Sequence, residues 1–172
     1  MNLDDIPSGS LCVLDTNILI YAEQGASHQA QRLLRRVEED DVTGVLPQPV
    51  WQETVHRLMV MEALMLGHVR GGNPARQLAK RPEVVKRLTR YRDKIEALVT
   101  LGLRFESCQE SDLLDRAIEI QARCGLLTND SLIAAMALRV NADGLVSADE
   151  RFAQISEIRV YTPSDLSRAT KS

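Results

Sequence analysis

The sequence predicts an α/β fold: three layers, with a largely parallel central sheet of four to five strands between helices. Three observations predict it. Short apolar runs, Leu11–Leu14, Thr43–Pro47, Leu101–Phe105 and Gly144–Val146, are each flanked by turn formers or polar residues, as buried strands are. Stretches of helical period separate them. The order strand, helices, strand, helices, strand, helices, strand is that of right-handed crossovers between parallel strands.

The elements follow in order. Leu11-Cys12-Val13-Leu14 reads as a buried strand ending on Asp15, and Thr16-Asn17 leads into a helix at Ile18-Leu19-Ile20. Ser27 is placed to cap a second helix with Leu33, Leu34 and Val37 on one face, ended by Glu38 to Asp41. After the second strand, Pro49 stands where helices begin, and a helix through Met65 carries Glu53 in its first turns and Trp51 as a core anchor. Gly67 to Pro74 is a break, followed by a basic helix from Pro82 to about Leu98 with Val84, Val85, Leu88, Tyr91, Ile95 and Leu98 as its apolar stripe. Beyond the third strand, Ser111 caps a helix over 112–123, and Asn129-Asp130 opens one apolar on nearly all sides. The fourth strand ends at Ser147-Ala148-Asp149, with a short helix over 150–155, an edge strand at 159–161 and a tail from Pro163. The whole is one domain, 1–172, with a basic helical insertion at about 67–100.

Composition narrows the function classes. With 44% hydrophobic and 26% charged residues the chain is of ordinary soluble type. No run reaches membrane-spanning length, and residues 1–10 lack the basic start and apolar centre of a signal peptide, so a cytoplasmic location and no membrane partner are expected. Cys12, Cys108 and Cys124 are scattered without zinc spacing, and His28, His56 and His68 show no ligand spacing either. The net charge of −3 is uneven: Arg70 to Lys94 holds nine bases and two acids, leaving the rest of the chain strongly acidic. A basic module of this kind suits a polyanion, or is simply a solvated helix face. Arg87, Arg90 and Arg92 are its candidate nucleic-acid contacts.

Four acids carry the chemistry. Asp15 and Asp149 end strands, while Glu53 and Asp130 begin helices, and in a parallel sheet strand ends and following helix starts share one edge. Each acid also has a plain role as a helix cap or first-turn acid. Gathered together, four carboxylates raise one another's pKa unless a cation relieves the repulsion. Mg²⁺ or Mn²⁺ prefers such hard oxygen donors, and metal-oriented water is a route to phosphodiester hydrolysis.

The stretches LCVLDTNILIYA, PQPVWQETVHRL, LLTNDSLIAAMAL and NADGLVSADERF resemble those of the PIN-domain ribonucleases, including the toxins of bacterial toxin–antitoxin pairs. The first and last are the specific ones: an apolar strand into D-T-N, and a strand into S/T-x-D-x-x-F. The resemblance implies a PIN-like fold and an endoribonuclease dependent on Mg²⁺ or Mn²⁺. It makes Asp15, Glu53, Asp130 and Asp149 catalytic, with Asp15, Asp130 and Asp149 as metal ligands and Asn17 and Ser147 as supporting polar residues. An RNA substrate, a cognate antitoxin and a homodimer are the partners it implies. The alternative is a non-catalytic RNA-binding or protein-interaction module on the same fold. The segment from Met61 to Thr100 departs from the compact toxins of the family. With aromatics at 3%, readout of RNA sequence by stacking is not expected.

Overall fold

The computed structural model describes residues 1–166. Five strands, all parallel, form its sheet in the order β3-β2-β1-β4-β5. They are β1 (Leu11–Leu14), β2 (Thr43–Pro47), β3 (Arg104–Glu106), β4 (Gly144–Val146) and β5 (Val160–Tyr161). The first two crossovers run outward from β1 in one direction, through α1 (Thr16–Gln24) and α2 (His28–Glu38), then through α3 (Gln48–Met65), α4 (Pro74–Ala79), α5 (Pro82–Val85) and α6 (Arg90–Thr100). The third returns across β1 through α7 (Ser111–Cys124) and α8 (Thr128–Arg139). Right-handed crossovers therefore put α7 and α8 on the opposite face from α1 to α3. The packing agrees, for α1 lies against α2 and α3, and α7 against α8, with α3 also touching α8. This is the three-layer α/β arrangement.

Direction reverses between β1 and β4, which makes their carboxyl ends the topological switch point where open sheets bind ligands. Cys12, Val13 and Leu14 of β1 are fully buried, as are Leu145 and Val146 of β4, so the two strand ends are rigidly placed. Gly144 is required there by close approach: a Cβ would stand 2.5 Å from Cε2 of the buried Tyr161 ring on β5. The three cysteines are free thiols, and burial pushes that of Cys12 up to about 12.

Several boundaries differ from the sequence expectation, each for a local reason. The single helix expected over 82–98 is broken into α5 and α6. Val84 and Leu88 join Ala63, Val69 and Leu78 in a small second core, while Leu98 packs against the main one. Glu62 of α3 fixes the break: its carboxylate accepts from the backbone N–H groups of Thr89, Arg90 and Tyr91 at 3.0, 3.2 and 2.9 Å. Those are the free donors at the start of α6. The short helix α4 was masked by its turn-rich approach, although Asn73 caps it. The third strand, into which Leu101 to Phe105 leads, spans Arg104–Glu106. Ser111 is the first residue of α7 and not its cap, a position held by Glu110. Trp51 is no core anchor, being 37% exposed on α3.

The expected tail from Pro163 is docked as far as it is described. Asp165 accepts from Ser27 Oγ at 2.7 Å and from the Gln29 N–H at 2.9 Å, adding a second cap to α2. The rest of that expectation, 167–172, lies outside the described residues.

Candidate functional site

Asp15 is the hub of the switch point. As N-cap of α1 it accepts from the Thr16 N–H at Oδ1, 2.7 Å away. Its other oxygen, Oδ2, accepts from Asn17 Nδ2 and from Ser147 Oγ, both at 2.5 Å. Ser147, wholly buried just beyond β4, in turn accepts from the Asp149 N–H at 3.0 Å, and Asn17 Oδ1 accepts from the Ala148 N–H at 3.0 Å. The D-T-N of one strand end and the S-A-D of the other thus close on each other. Both capping roles foreseen for these acids are real, since Asp149 also caps the 3-10 turn Glu150–Gln154.

The remaining acids come from helices on both faces. Asp130 is the third residue of α8, too far in to cap it, and Glu53 lies in the second turn of α3. Electrostatics shows that the four share one neighbourhood. Burial pushes the Asp15 carboxyl up to about 6, its bonds from Ser147 and Thr16 oppose the rise, and Glu53 and Asp130 add to it. Asp130 is raised by burial and by Asp149 and Glu53, against the pull of Arg151. Asp149 is lowered, chiefly by the hydrogen bonds of Arg151.

A cleft of about 470 Å³ opens beside these groups, lined by Asn17, Tyr21, Arg57, Ala148, Asp149, Glu150 and Arg151. Arg57 pairs with Glu53 one helical turn earlier, at 3.6 Å. Arg87, Arg90 and Arg92 stand elsewhere. All three are exposed on the second small core, and Arg90 with Tyr91 and Lys94 lines a separate groove against α3. That core meets α3 at Glu62, nine residues past Glu53 and about 13 Å further along the helix.

Sequence reading missed the basic side of the cleft. Arg57 was legible as the i+4 partner of Glu53. Arg151 carried no periodic signal, because the turn after Asp149 rather than a helix face sets its direction.

The residues suit a divalent cation in chemistry. The donors are carboxylate oxygens, one of them on a residue only 7% exposed, where charge needs a counter-ion. Next to it the buried Thr16 hydroxyl finds no hydrogen-bond partner among the described residues. Their present spacing is looser than an ion needs: among the described residues no three acids, histidines or cysteines converge closely enough to hold one.

The fold and the two interlocking strand ends are matched by a known family, for the PIN domain family model covers residues 12–158. The chain belongs to the PIN domain family. Asp15, Glu53, Asp130 and Asp149 all fall inside the matched span of this PIN domain. Over 156 residues it is 29% identical to Ribonuclease VapC7 of Mycobacterium tuberculosis, an alignment covering 86% of this chain and 88% of that protein. Solved structures that share the fold include the following three. One is VapBC2 from Rickettsia felis bound to a DNA fragment from their promoter, with TM-score 0.59 and 18% identity, covering 88% of this chain and 98% of that one. A toxin–antitoxin complex from Klebsiella pneumoniae has TM-score 0.53 and 20% identity, covering 88% and 97%. VapBC-1 from nontypeable Haemophilus influenzae has TM-score 0.51 and 18% identity, again covering 88% and 97%.

Proposed function

We propose that this PIN domain is an endoribonuclease dependent on Mg²⁺ or Mn²⁺, and the toxin of a toxin–antitoxin pair. The observation that carries the reading is the gathering of acids at the switch point: Asp15 locked to Ser147 and Asn17, Asp149 bonded to Ser147, and Asp130 linked to Asp149 through Arg151. The name of the curated relative, a ribonuclease, supports the activity, and the toxin–antitoxin complexes among the structural relatives support the partner.

In this reading Asp15, Asp130 and Asp149 would hold the cation. When bound, it supplies Lewis-acid stabilisation of the phosphate and a water acidified for attack. Asn17 and Ser147 keep Asp15 Oδ2 in a fixed direction, so no reorganisation is needed during the reaction. Glu53, in the second turn of α3, would accept the proton of the attacking water. Arg57 and Arg151 give the cleft wall its positive side, which suits the RNA backbone. Water adds across the phosphodiester, leaving one phosphate terminus and one hydroxyl.

The test is cleavage of a labelled single-stranded RNA by the purified protein with Mn²⁺, beside Asp15→Asn and Asp149→Asn. Loss of cleavage in both variants and in EDTA is expected. Variants that cut as fast as the unmodified protein overturn the site assignment.

A further inference from the structure

Arg151 lies two residues past Asp149 in the 3-10 turn Glu150–Gln154. Its Nε stands 3.0 Å from each Asp149 oxygen and its Nη2 2.5 Å from Oδ2, and the Arg151 N–H donates to Asp149 Oδ1 at 2.9 Å. The same Nη2 reaches Asp130 Oδ2 at 3.1 Å. One guanidinium therefore spans an acid from the end of β4 and an acid from the start of α8. Its field extends to Asp15 as well. The side chain is half exposed, at 49%, on a turn at the rim of the cleft, so it has solvent to withdraw into.

We infer that Arg151 is a built-in counter-ion that clamps Asp130 to Asp149 and competes with the divalent cation for the same two carboxylates. The inference rests on the metal reading above and adds an antagonist inside the chain. Without the guanidinium the two acids repel each other; with it they are held, each by an oxygen that a cation would need. Binding a cation then requires Arg151 to leave. Affinity for metal is accordingly weaker than the acids alone provide, and a variant without the fork recovers it.

The experiment is calorimetric titration of the purified protein with Mn²⁺ alone, beside Arg151→Gln and Arg151→Lys, with thermal unfolding in EDTA. Arg151→Gln is expected to bind Mn²⁺ about fivefold tighter, from release of two partly exposed ion pairs. It is also expected to melt lower in EDTA, with the gap closing at saturating Mn²⁺. Arg151→Lys, which keeps the charge without the fork, is expected between the two. Equal or weaker Mn²⁺ binding by Arg151→Gln overturns the inference while leaving the metal reading intact. Mn²⁺ binding that is absent in both the unmodified protein and Arg151→Gln, or unchanged in Asp149→Asn, overturns both.

Discussion

Ser147 Oγ donates a 2.5 Å hydrogen bond to Asp15 Oδ2 across 132 residues of chain, tying the end of β4 to the end of β1. The bond lies where the sheet changes direction, between two buried groups. It is a charge-assisted contact in a poorly solvated place, where such bonds are strongest. Ser147→Ala removes this donor and also the acceptor for the Asp149 N–H. The expected loss is about 2 kcal/mol at neutral pH, read from denaturant unfolding of the metal-free protein. An unchanged midpoint would show the bond to be dispensable.

Asp15 makes the metal-free protein sensitive to pH in a defined direction. Its carboxyl is raised to about 6 in the fold by burial, above its ordinary value of 3.8. Raised acids stabilise the fold below the unfolded pKa and lose that contribution as pH climbs through the folded one. The stability difference between the unmodified protein and Asp15→Asn should therefore shift by about 2 kcal/mol between pH 4 and 7, against the unmodified protein at the higher pH. A difference that stays flat across that range contradicts the burial argument.

Glu62 should behave in the opposite sense. Burial works to raise its carboxyl, but the N–H groups of Tyr91, Thr89 and Arg90 outweigh it, and the pKa is lowered. Its contribution is present above the unfolded carboxylate pKa and fades as pH falls through the folded one. Glu62→Ala leaves the start of α6 uncapped and is expected to lose about 2–3 kcal/mol. Amide hydrogen exchange should quicken over 89–93 first, with protection around β1 and β4 retained. Uniform loss of protection would mean that the second core is not a separable unit.

Arg87, Arg90 and Arg92 test whether the basic face binds RNA at a distance from the acids. Changing all three to Gln should lower the slope of log affinity against log salt by about 2. An unchanged slope makes them an ordinary solvated face.

Much of this architecture was legible because it rests on local pattern. The apolar strands ending on Asp15 and Ser147-Ala148-Asp149 gave both halves of the switch point, and topology alone brings strand ends and helix starts to one edge. Asn17 and Ser147 were legible through the family motifs. What stayed hidden depends on contacts between distant residues. The break between α5 and α6 is set by a carboxylate on another helix, Glu62, and periodicity runs straight through it. Asp165 closes on α2 from 136 residues away, so a segment of loop composition reads as a tail. Arg151 owes its place among the acids to the turn that follows Asp149, where no hydrophobic period exists to report direction.

Anomalous diffraction from Mn²⁺-soaked crystals would decide whether acids from β1, α8 and the end of β4 act as one cation site. One manganese peak is expected within coordination distance of Asp15, Asp130 and Asp149, with Arg151 turned away from Asp130. A peak elsewhere, or none at saturating Mn²⁺ with Arg151 still bridging the two acids, would contradict it.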